Sequence, residues 1–382
     1  MNNSSRQTSR QRIAKVALFA LVTPFVIGSF ASGASAAKLN DSCKRRDLFS
    51  VERVVDAKTK KATFIRCMVS KGSSLHAKKP KFSWQKVNKR QWDYRTVSAG
   101  STVRIDGSST VYPLMAVAAK YFEQTTSGKL GISIGISGTG GGMEKFCKGE
   151  IDMANASRAM TATEAANCAK TGVTYTEVLV ANDGLAVVVN PKNPLTCIKM
   201  SELKTMWAPV APAKTGPGAA KNWGDAIPGN TTGALKLYGA GSDSGTFDSF
   251  NTFVHNSSST SRTDYQATEN DNVTVKGVAA DTGAIGYYGL SYAEENAKVN
   301  KALALDKGAG CVQPTAANVQ NGTYAMARPL YTYVKNTSAL KPQIKSFLNF
   351  YLDNASRISS DALFVPLTKE QRGTAFAKIQ GL

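Results

Sequence analysis

The sequence predicts an α/β fold in which helices pack against a sheet. Three observations carry this. From Thr102 onward short apolar runs alternate with stretches of helical periodicity, and loops rich in Gly, Ser and Thr stand where the runs give way to helices. The chain has 382 residues, 42% of them hydrophobic, which is enough apolar material for more than one core and excludes general disorder and a fibrous repeat.

Taken in order, VRIDGS at 103–108 reads as a short strand. YPLMAVAAKYFEQTT follows at 112–126 as a helix, with Leu114, Val117, Ala118, Tyr121 and Phe122 at helical spacing. GISIGISG (131–138) is a second strand, GMEKFCKGE (142–150) a helix and IDMANAS (151–157) a third strand, while TEVLVANDGLAVVVN (176–190) contains a continuous apolar strand run. No internal repeat is present.

The chain before Thr102 has a different character. Residues 1–36 combine a basic segment ending at Lys15, an apolar stretch from Val16 to Phe30 and a small-residue run closing with Ala34-Ser35-Ala36, the three parts of a cleavable secretory signal. The stretch is broken by Pro24 and Gly28 and falls short of the roughly 20 residues a spanning helix needs. The expectation is a periplasmic, soluble mature protein. Residues 38–98 then hold 17 Lys+Arg against 5 Asp+Glu, so most of the formal net charge of +20 precedes residue 99.

That basic extension contains strand-like runs, LFSVERVV and ATFIRCMV, around a polar DAKTKK turn, and then the stretch KKPKFSWQKVNKRQWDYR with Trp84, Trp92 and Tyr94 interleaved. It could be a surface for an anionic partner, such as anionic lipid or nucleic acid, or a solvated linker whose aromatics dock on the main domain. Six Cys in an exported chain, none in a CxxC spacing, read as three disulfides. Fifteen connectivities are possible, and proximity favours Cys43 with Cys67 and Cys147 with Cys168, leaving Cys197 with Cys311. The two His, His76 and His255, lie far from any Cys cluster, so neither a metal site nor a cofactor is expected.

Three loops offer chemistry: 106–110 (DGSST), 137–142 (SGTGGG) and 241–246 (GSDSGT). A helix N-terminus presents unpaired N–H groups and the positive end of its dipole, and hydroxyls add donors, so three such loops around one cleft would form an anion cage. Singly, each is no more than an N-cap. Arg158 could add a full positive charge. None of the loops is a P-loop, GTGGGM does not complete GxGxxG, and GSDSG carries Asp243 where a nucleophile elbow needs Ser, so no enzyme activity is expected.

The motifs IDGSSTVYPL, GISGTGGGMEKFCKGEIDMANASR, NDGLAVVVNP, KLYGAGSDSGTFDSF and GVAADTGAIGYYG, in this order over nearly all of 102–370, resemble the phosphate-binding proteins of bacterial ABC-type phosphate importers. The resemblance implies a two-lobed type II periplasmic binding protein fold with a double-crossover hinge, here preceded by a small disulfide-bonded basic extension. The implied division is 99–184 plus 287–382 for lobe I and 185–286 for lobe II. It also implies a monomer that delivers inorganic phosphate to membrane permease subunits.

Carried over residue by residue, the resemblance assigns phosphate donors to Ser109 and Thr110, to Ser137, Thr139 and Gly140, and to Ser244, Gly245 and Thr246. Relatives have a carboxylate where this chain has Arg158 and an Arg shortly before the third loop, where this chain reads Tyr238-Gly239-Ala240-Gly241. The simplest reading is that the guanidinium has moved to Arg158. Asp183 and Asp243 are the candidate acceptors for the phosphate proton, each with a structural alternative as a helix cap or hinge-turn residue. Sulfate, molybdate or arsenate would suit a similar cage, and adhesion or scavenging through 38–98 is the reading from another class.

Overall fold

The structure is a computed structural model. It describes residues 38–44, 51–55, 59, 62–70, 79, 81–86, 102–126, 131–209, 220–242, 244–258 and 260–382. The expected signal at 1–36 and Trp92, Tyr94 and Asp243 lie outside the described residues. Among those described, no helix is long and apolar enough to cross a membrane.

Strands β1 (Val51–Val55), β2 (Ala62–Val69) and β3 (Phe82–Lys86) form an antiparallel sheet of their own. β1 and β2 match the two runs expected on either side of the DAKTKK turn. The Cys43–Cys67 disulfide staples the preceding segment onto this sheet. Ile65, Cys67, Phe82 and Trp84 then enter the same apolar cluster as Val103, Ile105, Tyr121 and Phe122 of the main domain. Trp84 is buried, so this aromatic docks on the main domain.

The main sheet contains β4 (Val103–Gly107), β5 (Ile132–Ile134), β6 (Met153–Ala156), β7 (Tyr175–Val189), β9 (Lys236–Ala240), β10 (Gln266–Thr268), β11 (Ala284–Gly289) and β15 (Ala327–Lys335). Their order is β10-β9-β11-β7-β15-β6-β4-β5, with β12 (Lys301–Ala302) also on β7. β7 is the shared element. Its first part, Tyr175 to Gly184, runs antiparallel to β15, and its last part, Leu185 to Val189, antiparallel to β11. Burial of every residue from Leu185 to Val189 explains why that run is continuously apolar rather than alternating. A small third sheet joins β8 (Cys197–Lys199), β13 (Ala304–Asp306) and β14 (Cys311–Val312), and the Cys197–Cys311 disulfide bridges it.

Each half has its own core. One gathers the Tyr112–Thr126 helix, Val178, Val180, Leu330 and the Pro342–Asp353 helix. The other gathers Val187 to Val189, Trp207, Trp223, Phe250 and Tyr287. Within the second, Phe250 stacks on Tyr287 with ring centroids 3.6 Å apart, and Trp207 meets both edge-on. This is the type II architecture, two α/β halves joined where the chain crosses twice.

The second crossing differs from the division 99–184 plus 287–382 and 185–286. Tyr287, Tyr288, Leu290, Leu303, Leu305, Tyr324 and Met326 lie in the second core, because β11 pairs with β9 and β7 and the chain stays there through β14. We therefore propose the return at Met326/Ala327, where β15 begins. Two smaller departures sit near the second loop: GISIGISG is strand only over Ile132–Ile134, and the helix starts at Gly138 rather than Gly142. Gly142 faces β4 so closely that a Cβ there would lie 2.5 Å from Gly107 Cα, which packs this helix start onto the strand end.

Trp84→Ala tests whether the extension is integral. Removing a buried Trp costs about 3–5 kcal/mol, so the main thermal unfolding transition should shift to lower temperature; an unshifted transition would mean the extension folds apart from the first core.

Candidate functional site

Asp106, at the end of β4, organises the first two loops. Its Oδ1 accepts from Gly107 N at 2.7 Å and from both Ser137 N (3.0 Å) and Ser137 Oγ (2.9 Å), and its Oδ2 pairs with Lys145 Nζ at 2.6 Å. Burial pushes this carboxyl up, but these donors outweigh it and hold it below the usual carboxylate range. Ser137, assigned to the ligand by resemblance, ties the second loop to the first through Asp106. Next to it, Thr139 Oγ1 accepts from Ser157 N at 3.2 Å and lies 3.2 Å from Ser157 Oγ, so the helix start at 138–140 is fastened to the end of β6.

These fastenings shape a cleft of 640 Å³ lined by Ser108, Ser109, Thr110, Gly138, Thr139, Gly140, Ser157 and Arg158 from the first half and by Asp248, Thr252 and Ser258 from the second. Arg328, Pro329 and Tyr331 of β15 complete the lining. Of the expected site residues, Ser109, Thr110, Thr139, Gly140 and Arg158 come together here.

The third loop opens elsewhere. Ser244, Gly245 and Thr246 line a smaller adjoining cavity of 140 Å³ with Asp183, Ser249 and Asp271, and Thr110 borders both spaces. Ser244 caps the Gly245–His255 helix, accepting from Thr246 N at 3.1 Å. Gly245 is pressed against the first loop: a Cβ there would stand 2.9 Å from Thr110 Cα and 3.0 Å from Thr110 N, both backbone atoms that cannot rotate away. Ser109 Oγ donates to Asp248 Oδ2 at 2.7 Å, a second tie between the halves.

Between the two spaces lies a group the sequence reading missed. Arg328 and Asp183 face each other in the β15–β7 register, and Arg328 Nε pairs with Asp183 Oδ2 at 3.1 Å, with the side chains only 14% and 5% exposed. Arg328 Nη2 donates to Thr110 Oγ1 at 3.2 Å and to Ser249 Oγ. Ser249 Oγ lies within 3.2 Å of Asp183 Oδ2, and the guanidinium sits over the Phe253 ring at 5.3 Å. The available signal was an Arg inside the otherwise apolar strand run ARPLYTYV. Asp183 thus has a structural partner at the crossing, whereas Arg158 is more exposed and bound by both Nη atoms to Glu164, each at 2.8 Å. Glu164 in turn makes a capping box with Thr161, and its hydrogen bond from Arg158 holds its carboxyl below the ordinary range despite burial. The Cys147–Cys168 disulfide ties the helix that starts at the second loop to the one that carries Glu164.

A cleft between two α/β halves, floored by crossing strands and rimmed by helix starts and hydroxyls, defines a substrate-binding protein. A family model described as the PBP superfamily domain matches residues 95–355. Protein SphX of Synechococcus elongatus is 43% identical over 267 residues, 69% of this chain and 77% of that protein. The phosphate-binding protein PstS of Staphylococcus saprophyticus is 32% identical over 70% of this chain and 81% of its own. A crystal structure of a possible phosphate binding protein from Planctomyces limnophilus, 34% identical, superposes with a TM-score of 0.69 over 75% of this chain and 99% of that one. The chain belongs to the PBP superfamily, in the group that holds SphX and PstS.

Asp271, in the smaller cavity, supplies a check on this geometry. Burial, reinforced by the charge of Glu269, pushes its carboxyl up to about 6 from 3.8. A raised carboxylate means the folded chain binds the extra proton, so this group's stability contribution is present below pH 4 and is lost as pH rises through about 6. Asp271→Asn should remove up to about 3 kcal/mol of that decline, measured by urea unfolding at pH 4 and pH 7.

Proposed function

We propose that the chain binds inorganic phosphate in the 640 Å³ cleft, outside the cytoplasmic membrane, and delivers it to the membrane subunits of an ABC-type importer. One observation carries the reading: helix starts with hydroxyl-bearing loops converge with the Arg158 guanidinium on a single space, and one carboxylate, Asp248, lines the same space. Each hydrogen bond to a charged group contributes about 1.5–3 kcal/mol net, and a micromolar dissociation constant needs only about −8 kcal/mol. A handful of the donors at Ser109, Thr110, Thr139, Gly140 and Ser157, with Arg158, is therefore sufficient. The signal at 1–36 supports export, and the phosphate-binding names of the relatives support the ligand. The role is binding rather than catalysis.

Calorimetric titration of refolded, anion-stripped protein should show phosphate binding at micromolar concentration. Arg158→Ala should weaken it by about tenfold or more, since one charge-assisted contact is lost. No heat with phosphate at tens of micromolar overturns the reading.

Asp248 separates phosphate from sulfate. At neutral pH phosphate keeps a proton to donate and sulfate does not, so a carboxylate facing sulfate sets acceptor against acceptor at a cost of about 1–3 kcal/mol. We assign to Asp248 the acceptor role for which Asp183 and Asp243 were the candidates, because Asp248 lines the large cleft, whereas Asp183 lines the smaller cavity and pairs there with Arg328. In Asp248→Asn, sulfate should compete with phosphate about tenfold better than in the unaltered protein. Equal sulfate competition in both proteins removes Asp248 from this role.

A further inference from the structure

Apart from the Ser109–Asp248 bond, the polar ties between the halves meet at one side chain. Arg328 stands on β15 at the crossing, bound through Nε to Asp183 of β7. Its Nη2 donates both to Thr110, on the first loop of the first half, and to Ser249, on the Gly245–His255 helix of the second half. Thr110 Oγ1 and Ser249 Oγ are 3.3 Å apart, and Thr110 Oγ1 lies 3.4 Å from Gly245 O, so this is a bond set that closes only when the halves are together.

We propose that Arg328 is the closure latch of the binding protein, a positioning residue that stabilises the closed arrangement from the hinge. This rests on the receptor reading, but the latch itself is a property of the chain without ligand. Three features support the assignment. The guanidinium is largely buried and its charge is matched by Asp183, so its hydrogen bonds form away from bulk water, where bonds to a charged group are strongest. The Arg fork reaches a carboxylate and two hydroxyls together, which a Lys ammonium on its single flexible stem does not reproduce. Ser249 borders the smaller cavity and is not among the residues lining the large cleft, so one arm of the latch acts away from the ligand.

Apparent affinity scales with the closed, binding-competent fraction, so losing the latch raises the dissociation rate while leaving encounter with the open cleft unchanged. Arg328→Lys keeps a positive charge beside Asp183 and is the variant expected to fold. Small-angle scattering of anion-stripped protein should then show a larger radius of gyration for Arg328→Lys and for Ser249→Ala than for the unaltered chain. An unchanged radius in both variants overturns the latch, whether or not phosphate binds. Where phosphate binds the unaltered protein, stopped-flow release from Arg328→Lys should be roughly tenfold faster or more with association unchanged. A fall confined to the association rate would make Arg328 an electrostatic ligand contact and overturn the latch. Absence of phosphate binding by the unaltered chain defeats the receptor reading alone, and the scattering comparison still decides Arg328.

Discussion

The buried pair of Asp183 and Arg328 is the constraint around which the site is arranged. A guanidinium that is 14% exposed and a carboxylate that is 5% exposed are tolerable only because each faces the other and the remaining donors find hydroxyls. Removing either partner would leave a charge stranded at the strand crossing. The hydroxyls that complete the set, Thr110 and Ser249, come from opposite halves, so electrostatic compensation at the hinge and the approach of the two halves are one requirement. Gly245 follows from it, since only a residue without Cβ lets the second half's helix start lie against the backbone of Thr110.

A second layer of polar ties sets the rim. Asp106 joins the first and second loops through Gly107, Ser137 and Lys145, and Glu164 holds Arg158 at the edge of the cleft. Residues that look like ligand donors on sequence thus divide into those that face the cleft and those that hold the facing ones in place. Ser137 belongs to the second kind. Such support matters because a cradle of N–H and O–H groups favours an anion only if its dipoles are already oriented, and reorganising them would consume the binding energy.

Much of the fold was legible because its signals are local. The stripe Leu114, Ala118, Tyr121 and Phe122 is set by helical period, the apolar run of β7 by burial on both faces, two of the disulfides by proximity and the third, Cys197–Cys311, by what those two leave. The loops at 106–110 and 137–142 were legible as passages from strand to helix, although the second helix begins four residues earlier than its periodicity suggests. What escaped depends on long-range pairing. Arg328 is a single charge 145 residues from Asp183, and only the β7–β15 register brings them together. Asp248 escaped as well, since an acid in the first turn of a helix is ordinary and carries no ligand signal of its own. The return crossing that we propose at Met326/Ala327 has no local signal either, because the strands after Tyr287 are too short to declare which sheet they join.

The sharing of β7 bears on how such a protein is made. One continuous strand supplies a partner to β15 in one half and to β11 in the other, so neither half is a self-sufficient folding unit. Cutting the chain after Gly184 would part the first stretch of β7 from β15 and leave an open sheet edge on each fragment, and open edges recruit foreign strands. Nor does the order of synthesis help, because β15, which pairs with the first part of β7, emerges only after nearly the whole second half. The first half stays incomplete until β15 arrives, so the protein's folding should be slow and its partly folded chain exposed to aggregation.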